Sequence, residues 1–193
     1  QHGPLHESVV HSFLAQIAAG LGYLHERNIL HRDIKGANIL VDETGTCRIS
    51  DFGISRRLDH TSLAEAMSEP HQQQHQQQQR SRRILGTVPF MAPEVAQRSE
   101  YTAAADIWSL GCVAVQMWSG QMPWGELLEP QVFFKLGGNK APPIPDDLPE
   151  AGIEFCTNCF AAAPADRWSA ARLACMPFAQ VAPDYEYPYC HGR

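Results

Sequence analysis

The chain lacks several things, and each absence narrows the field. No stretch approaches the ~20 consecutive apolar residues that a membrane-spanning helix needs, so no membrane span is expected in the 193 residues. There is no excess of basic charge. Fifteen Lys and Arg face 21 Asp and Glu, a net charge of −6, which excludes a broad basic field and makes nucleic acid an unexpected partner. The opening "QHGPLHES" has neither a basic n-region nor an apolar core, so it is no signal peptide. It does not begin with Met, and the expectation is a piece of a longer chain. The six Cys lie mostly among apolar residues, as in "LGCVAVQM" and "RLACMPF". They read as buried free thiols in a reducing, cytoplasmic setting. Cys156 and Cys159 have zinc or redox spacing, but no second CxxC or nearby CxxH completes a set. On a helix, thiols at i and i+3 read more simply as small core residues.

What is present is an ordinary globular composition. Hydrophobic residues make up 44% and charged residues 19%, enough for one domain with a real core. Residues 7–26 carry Val10, Phe13, Leu14, Ile17, Leu21 and Leu24 at helical spacing. Gly20 and Gly22 weaken that helix, or let another element approach closely. Two short apolar runs around Glu43-Thr44-Gly45 predict a small hairpin. Residues 102–119 predict a second helix, with Thr102 as N-cap and Gly120 as stop. It is apolar on all sides and therefore buried, so Asp106 near its start needs partners. Further helices are expected at about 150–162 and 169–175. From Val181 a tail with two Pro and three Tyr has no clear pattern. Residues 59 to about 83 include "HQQQHQQQQRSRR" and have no apolar periodicity; a disordered loop is expected, with no catalytic or metal role for His71 or His75.

One segment concentrates chemistry. "HRDIKGANILVDETGTCRISDFG" sets Asp33, Lys35, Asn38 and Asp51 within nineteen positions, on a loop between a helix and a hairpin. Two carboxylates alone would suit glycoside hydrolysis, but that leaves Lys35 and Asn38 without a task. A zinc site would need more His or Cys than His31. Phosphoryl transfer employs all four: an Asp to orient the attacking hydroxyl, a Lys for the phosphoryl charge, and an Asn and an Asp as oxygen ligands for Mg²⁺.

"HRDIKGANIL" matches the protein-kinase catalytic loop, and "DFG" follows at the right distance. "GTVPFMAPEV" resembles the end of a kinase activation segment, "DIWSLGCV" the central helix of the C-lobe, and "PADRW…MPF" its closing pattern. The chain is thus similar to the C-terminal lobe of a Ser/Thr protein kinase over about 180 residues. Its texture is closest to the STE group and, within it, to MAP kinase kinase kinases of the MEKK type.

The resemblance implies a mainly α (α+β) kinase-like fold with small β-hairpins. It implies a C-lobe portion over 1–181, with 58–83 a Gln-rich insert in the activation segment and 182–193 a tail. Asp33 would be the catalytic base, and Lys35 would contact the γ-phosphate of ATP. Asn38 and Asp51 would bind Mg²⁺, and Leu40 would lie beneath the adenine. Lys35 and Thr87 follow the Ser/Thr-kinase pattern. Arg32 would meet an activation-segment phosphate, for which Thr61, Ser62 and Ser81 are candidates. His31 and Phe52 would stack, Asp106 would take backbone N–H groups of the catalytic loop, and Glu94 would pair with Arg167. The substrate implied is a downstream MAP kinase kinase. Trp168 stands where the family has Pro.

Two parts of the pattern are absent. No G-x-G-x-x-G loop and no V-A-I-K Lys occur in the sequence. The N-lobe is expected to be missing from this chain and supplied by the same protein upstream. The alternative is a non-catalytic C-lobe that binds other kinases or regulators.

Overall fold

The computed structural model describes residues 3–57 and 86–188. The Gln-rich segment, its candidate phosphosites, His71, His75 and Cys190 lie outside them.

Helix α1 (Glu7–Glu26) opens on His6, whose ring nitrogen accepts the Ser8 N–H at 3.3 Å. Its apolar positions recur every three to four residues, and Val10, Leu14, Ile17 and Leu21 are fully buried. After it, β1 (Ile29–Leu30) pairs antiparallel with β4 (Arg56–Arg57). Between them β2 (Ile39–Val41) and β3 (Cys47–Ile49) form the hairpin expected around Gly45. Asp42 shapes its turn, with Oδ1 accepting the N–H groups of Thr44 and Thr46, both at 3.0 Å. Gly45 sits at φ +80°, where a side chain is strained. Gly20 does admit a close neighbour: a Cβ there would come 3.1 Å from Cδ1 of Ile49 on β3.

From residue 86 onward, a 3₁₀ turn (Val88–Phe90) and α2 (Pro93–Ala96) lead to α3 (Ala103–Ser119). Every residue from Ala105 to Val115 of α3 is buried, so it is the axis of the core. Gly120 ends it at φ +67°, and a Cβ there would strike the backbone at Gly3 and Pro4. Helices α4 (Glu129–Gly137), α5 (Glu150–Cys159) and α6 (Ala170–Ala174) complete the helical set. Trp108, Phe155 and Phe178 are the largest fully buried side chains at its centre. About half of the described residues are helical, and among them are two small antiparallel sheets.

Three expectations need correction. Helix α4 has no counterpart in the sequence reading, because only Val132 and Leu136 are buried while Phe134 is 83% exposed, which blurs the helical period. Helix α5 stops at Cys159 rather than Ala162, since Arg167 takes the carbonyls of Ala161 (2.8 Å) and Ala162 (3.4 Å). Cys175 is exposed despite its apolar neighbours in sequence. Cys112, Cys156 and Cys159 are buried, and burial pushes the Cys156 thiol up to about 12. Among the described residues no helix is long and apolar enough to cross a membrane.

Candidate active site

The catalytic-loop residues follow β1 and run through a 3₁₀ turn (Gly36–Asn38) into β2. Arg32 adopts φ +74°, a left-handed conformation that a non-glycine residue keeps only when its surroundings enforce it. The enforcement comes from Asp106 on α3, fully buried beneath the loop. One carboxylate oxygen accepts the N–H of Arg32 at 2.9 Å and the Tyr101 hydroxyl at 2.8 Å. The other accepts the N–H of His31 at 3.0 Å and lies 2.9 Å from His25 Nε2. Burial pushes the Asp106 carboxyl up, but the His25 bond and the two backbone donors outweigh it and hold the group below the usual carboxylate range.

His31 is fully buried. Its Nε2 faces the Ser50 carbonyl at 3.0 Å and its Nδ1 accepts the Asp33 N–H at 3.3 Å, which fixes the tautomer from its partners. The Phe52 ring meets it edge-on, centroids 5.0 Å apart, as expected.

Above this base Asp33, Lys35, Asn38 and Thr87 converge. Asp33 Oδ2 accepts from Lys35 Nζ at 2.6 Å and from Asn38 Nδ2 at 3.1 Å. Its Oδ1 accepts from Thr87 N at 3.1 Å and Thr87 Oγ1 at 2.8 Å. Lys35 Nζ also donates to Thr87 Oγ1 at 2.8 Å, closing a ring of three residues, Asp33, Lys35 and Thr87, to which Asn38 is joined through Asp33. Burial pushes the Asp33 carboxyl up, but Lys35, Thr87 and Asn38 together hold it below its ordinary value. It is therefore ionised at neutral pH.

Asn38 Nδ2 is spent on Asp33, reaching its carbonyl at 2.7 Å as well. That leaves the amide oxygen as the end free to meet a cation. Asp51 stands apart from these four residues, exposed at φ +62°, with Oδ1 accepting the Gly53 N–H at 3.2 Å. The two are linked through Ser50, whose N–H and hydroxyl both donate to the Asn38 carbonyl, at 2.9 and 3.0 Å. An amide oxygen and a carboxylate are hard donors and fit Mg²⁺, which needs few protein ligands because it keeps several waters. Leu40 of β2 is 57% exposed, and Phe52 is 47% exposed.

The surrounding supports are equally specific. Arg167 grips Glu94 with two bonds, 2.6 and 2.8 Å, and both residues are buried. This ties α2 to the turn after α5. Trp168 keeps an N–H where Pro would have none, and it donates to the Asn158 carbonyl at 3.4 Å. The Trp168 ring carries the Arg172 guanidinium 3.3 Å from its centroid. Arg32 Nε is buried without a hydrogen-bond partner among the described residues. Burial, with the Arg56 guanidinium nearby, lowers the Arg32 pKa.

Residues 1–179 match the protein kinase domain family. The chain belongs to that family. It is 45% identical over 179 residues to the mitogen-activated protein kinase kinase kinase MST11 of Pyricularia oryzae, covering 92% of this chain and 19% of that protein. It is 40% identical over 159 residues to the serine/threonine-protein kinase STE11 of Saccharomyces cerevisiae, covering 82% of this chain and 20% of that one. It is 38% identical over 186 residues to mitogen-activated protein kinase kinase kinase 4 of Homo sapiens, covering 94% and 11% respectively. The resemblance to MAP kinase kinase kinases is thereby borne out. The chain spans a fifth or less of the length of these relatives.

Sequence reasoning missed Tyr101 and His25 as partners of Asp106. Nothing local marks them; His25 is 81 positions away.

Proposed function

We propose that the chain is the C-lobe portion, residues 1–181, of a Ser/Thr protein kinase that transfers the γ-phosphate of ATP to a MAP kinase kinase, with 58–83 an insert in its activation segment and 182–193 a tail. The observation that carries this is the closed ring of Asp33, Lys35 and Thr87, with Asn38 also bonded to Asp33. A phosphoryl acceptor needs a carboxylate held in one place, because positioning and charge supply most of the rate in this chemistry. Asp33 is fixed on both oxygens and is kept ionised by its neighbours. It is a weak base in that state, suited to orienting the substrate hydroxyl and taking its proton late. Thr87 closes the site on the activation-segment side and occupies Asp33 Oδ1 until the substrate hydroxyl arrives. Lys35 has its ammonium already at the carboxylate, within reach of a phosphoryl group placed between them.

Mg²⁺, where bound, supplies charge neutralisation of the nucleotide phosphates; Asn38 and Asp51 are the residues that would hold it. Leu40 would lie under the adenine. The large apolar side chains of Leu40 and Phe52, both left exposed, support a covering second lobe from the same protein.

The test uses the full-length gene product with Mg²⁺-ATP and a kinase-dead MAP kinase kinase as substrate. Phosphorylation of Ser or Thr is expected, and Asp33→Asn is expected to reduce it by at least about 100-fold, the scale of a lost general base. Activity that survives Asp33→Asn would overturn the reading. The 193-residue chain alone is expected to show negligible activity and poor solubility; robust phosphorylation by it would refute the need for a second lobe.

A further inference from the structure

Three features stand apart from Asp33, Lys35, Asn38 and Thr87: an apolar groove of about 580 Å³ beside Leu5, Phe13 and Met117, the outward Phe134 of α4, and the indole of Trp124. The first two have no occupant that the structure identifies. The third has a defined polar partner next to the reacting groups.

We infer that Trp124 is a positioning residue for the ledge on which the protein substrate lies. Residues 88–90 continue directly from Thr87, whose amide and hydroxyl are bound to Asp33. A substrate hydroxyl that reaches Asp33 must bring its own backbone alongside Val88 and Pro89, which are only partly buried. The ledge is held from below at two consecutive carbonyls. Ser109 Oγ on α3 donates to Phe90 O at 2.7 Å, and Trp124 Nε1 donates to Pro89 O at 3.1 Å. Ser109 is itself buried in the core and the Trp124 ring is buried too. Trp124 belongs to the connection between α3 and α4, where Gly125 at φ +60° turns the chain and donates its N–H to Met122 O at 2.9 Å. The indole therefore spans from that connection to the activation segment, 35 positions earlier. A buried indole N–H seeks an acceptor, and the Pro89 carbonyl is the one it has. Losing that bond frees the ledge without touching Asp33, Lys35 or Asn38.

This rests on the kinase reading, and the experiment separates the two. Trp124→Phe keeps an aromatic ring and removes the donor. The control is Trp118→Phe, which removes an exposed indole bond to Asp147 at 3.2 Å on another face. In the full-length protein, amide exchange of Phe90 and Met91, whose N–H groups close the ledge turn onto Thr87 O and Val88 O, is expected to rise about 2- to 10-fold in Trp124→Phe, the range of one net hydrogen bond. It should stay unchanged in Trp118→Phe. The KM for a kinase-dead MAP kinase kinase is expected to rise about 2- to 10-fold, with the KM for ATP and the exchange of α3 amides unchanged. A purely structural residue would lower Tm and kcat and leave the KM values alone. Unchanged exchange at residues 90 and 91 overturns the positioning role. Faster exchange with an unchanged protein-substrate KM overturns its link to substrate. Activity that survives Asp33→Asn refutes the kinase reading, whereas unchanged exchange at residues 90 and 91 in an enzyme that depends on Asp33 refutes the positioning role alone.

Discussion

Replacing Asp106 by Asn is the most searching test of how the catalytic loop is held. The carboxylate is fully buried and sits among four donors, two on each oxygen. Asn has the same shape but offers one oxygen and one NH₂. Tyr101 can reverse its hydroxyl and His25 can change tautomer, so each could accept from that NH₂. The backbone N–H groups of His31 and Arg32 cannot. Whichever way the amide turns, one of them faces a donor and is left unpaired. An orphaned buried N–H costs about 1–3 kcal/mol. The bonds that remain lose their charge assistance, roughly half their strength. Together the loss should be about 3–5 kcal/mol, the scale found when a buried charge is removed from its partners. In a chain of this size that lowers Tm by roughly 6–20 °C. Such a loss is a large share of a normal domain's stability, so Tyr101→Phe provides a gentler companion: one hydroxyl donor lost, at a cost of about 1–2 kcal/mol. Thermal unfolding followed by tryptophan fluorescence at pH 7 measures both. Asp106→Asn within about 2 °C of wild type, less than 1 kcal/mol on this scale, would refute the claim that this carboxylate holds the loop in its strained form.

Three further outcomes follow from the same contacts. Arg167→Lys keeps the charge but loses the fork that grips both oxygens of Glu94, so a loss of about 1–3 kcal/mol in urea unfolding is expected; an unchanged midpoint would show the second bond to be idle. Gly45→Ala forces a Cβ at φ +80° to within 2.5 Å of the Tyr187 ring, costing about 1–3 kcal/mol, and a double-mutant cycle with Tyr187→Ala should recover part of it if the clash is real. The folded pKa values of Asp33 and Asp106 both lie below the ordinary value, so their stabilisation is complete above about pH 4 and lost as pH falls further. Tm should therefore hold steady from pH 7 to about 5 and drop below about 4, and His25→Leu, which removes the largest influence lowering Asp106, should shift that acid limb to higher pH.

The parts of the site that were legible in the sequence are those written locally. Asp33, Lys35 and Asn38 fall within one loop, and a single short turn brings them together, so their spacing already implied their meeting. Thr87 and the Glu94–Arg167 pair are distant, and only the kinase resemblance joined them to the rest. What local pattern could not carry are contacts made by packing alone. The Tyr101 hydroxyl reaches Asp106 from just before α3, His25 reaches it from the end of α1, and Trp124 reaches Pro89 across the core. In the tail, Tyr187 settles against Gly45 and Phe13, a place its Pro- and Tyr-rich sequence did not announce. Helix α4 was hidden for a different reason: its outward face bears Phe134, so the usual link between apolarity and burial fails there.

The strained backbone shows how these distant contacts serve the local ones. Arg32 and Asp51 are both non-glycine residues at positive φ, and each stands beside a residue that the proposed chemistry uses or is itself one. Such conformations cost about 1–3 kcal/mol each and survive only where the surroundings over-determine them. For Arg32 the over-determination is visible: Asp106 accepts the N–H groups of both His31 and Arg32, which turns the next residue, Asp33, toward Lys35 and Thr87. For Asp51 it comes from the flanking residues. Ser50 is tied to Asn38 and through its carbonyl to His31, while Phe52 packs on His31. His31 thus lies between the two strained positions and touches the neighbours of both. A change at His31 that keeps its size but not its nitrogens, such as His31→Phe, should loosen Asp33 and Asp51 together, whereas changes at Asp106 should act first on Asp33.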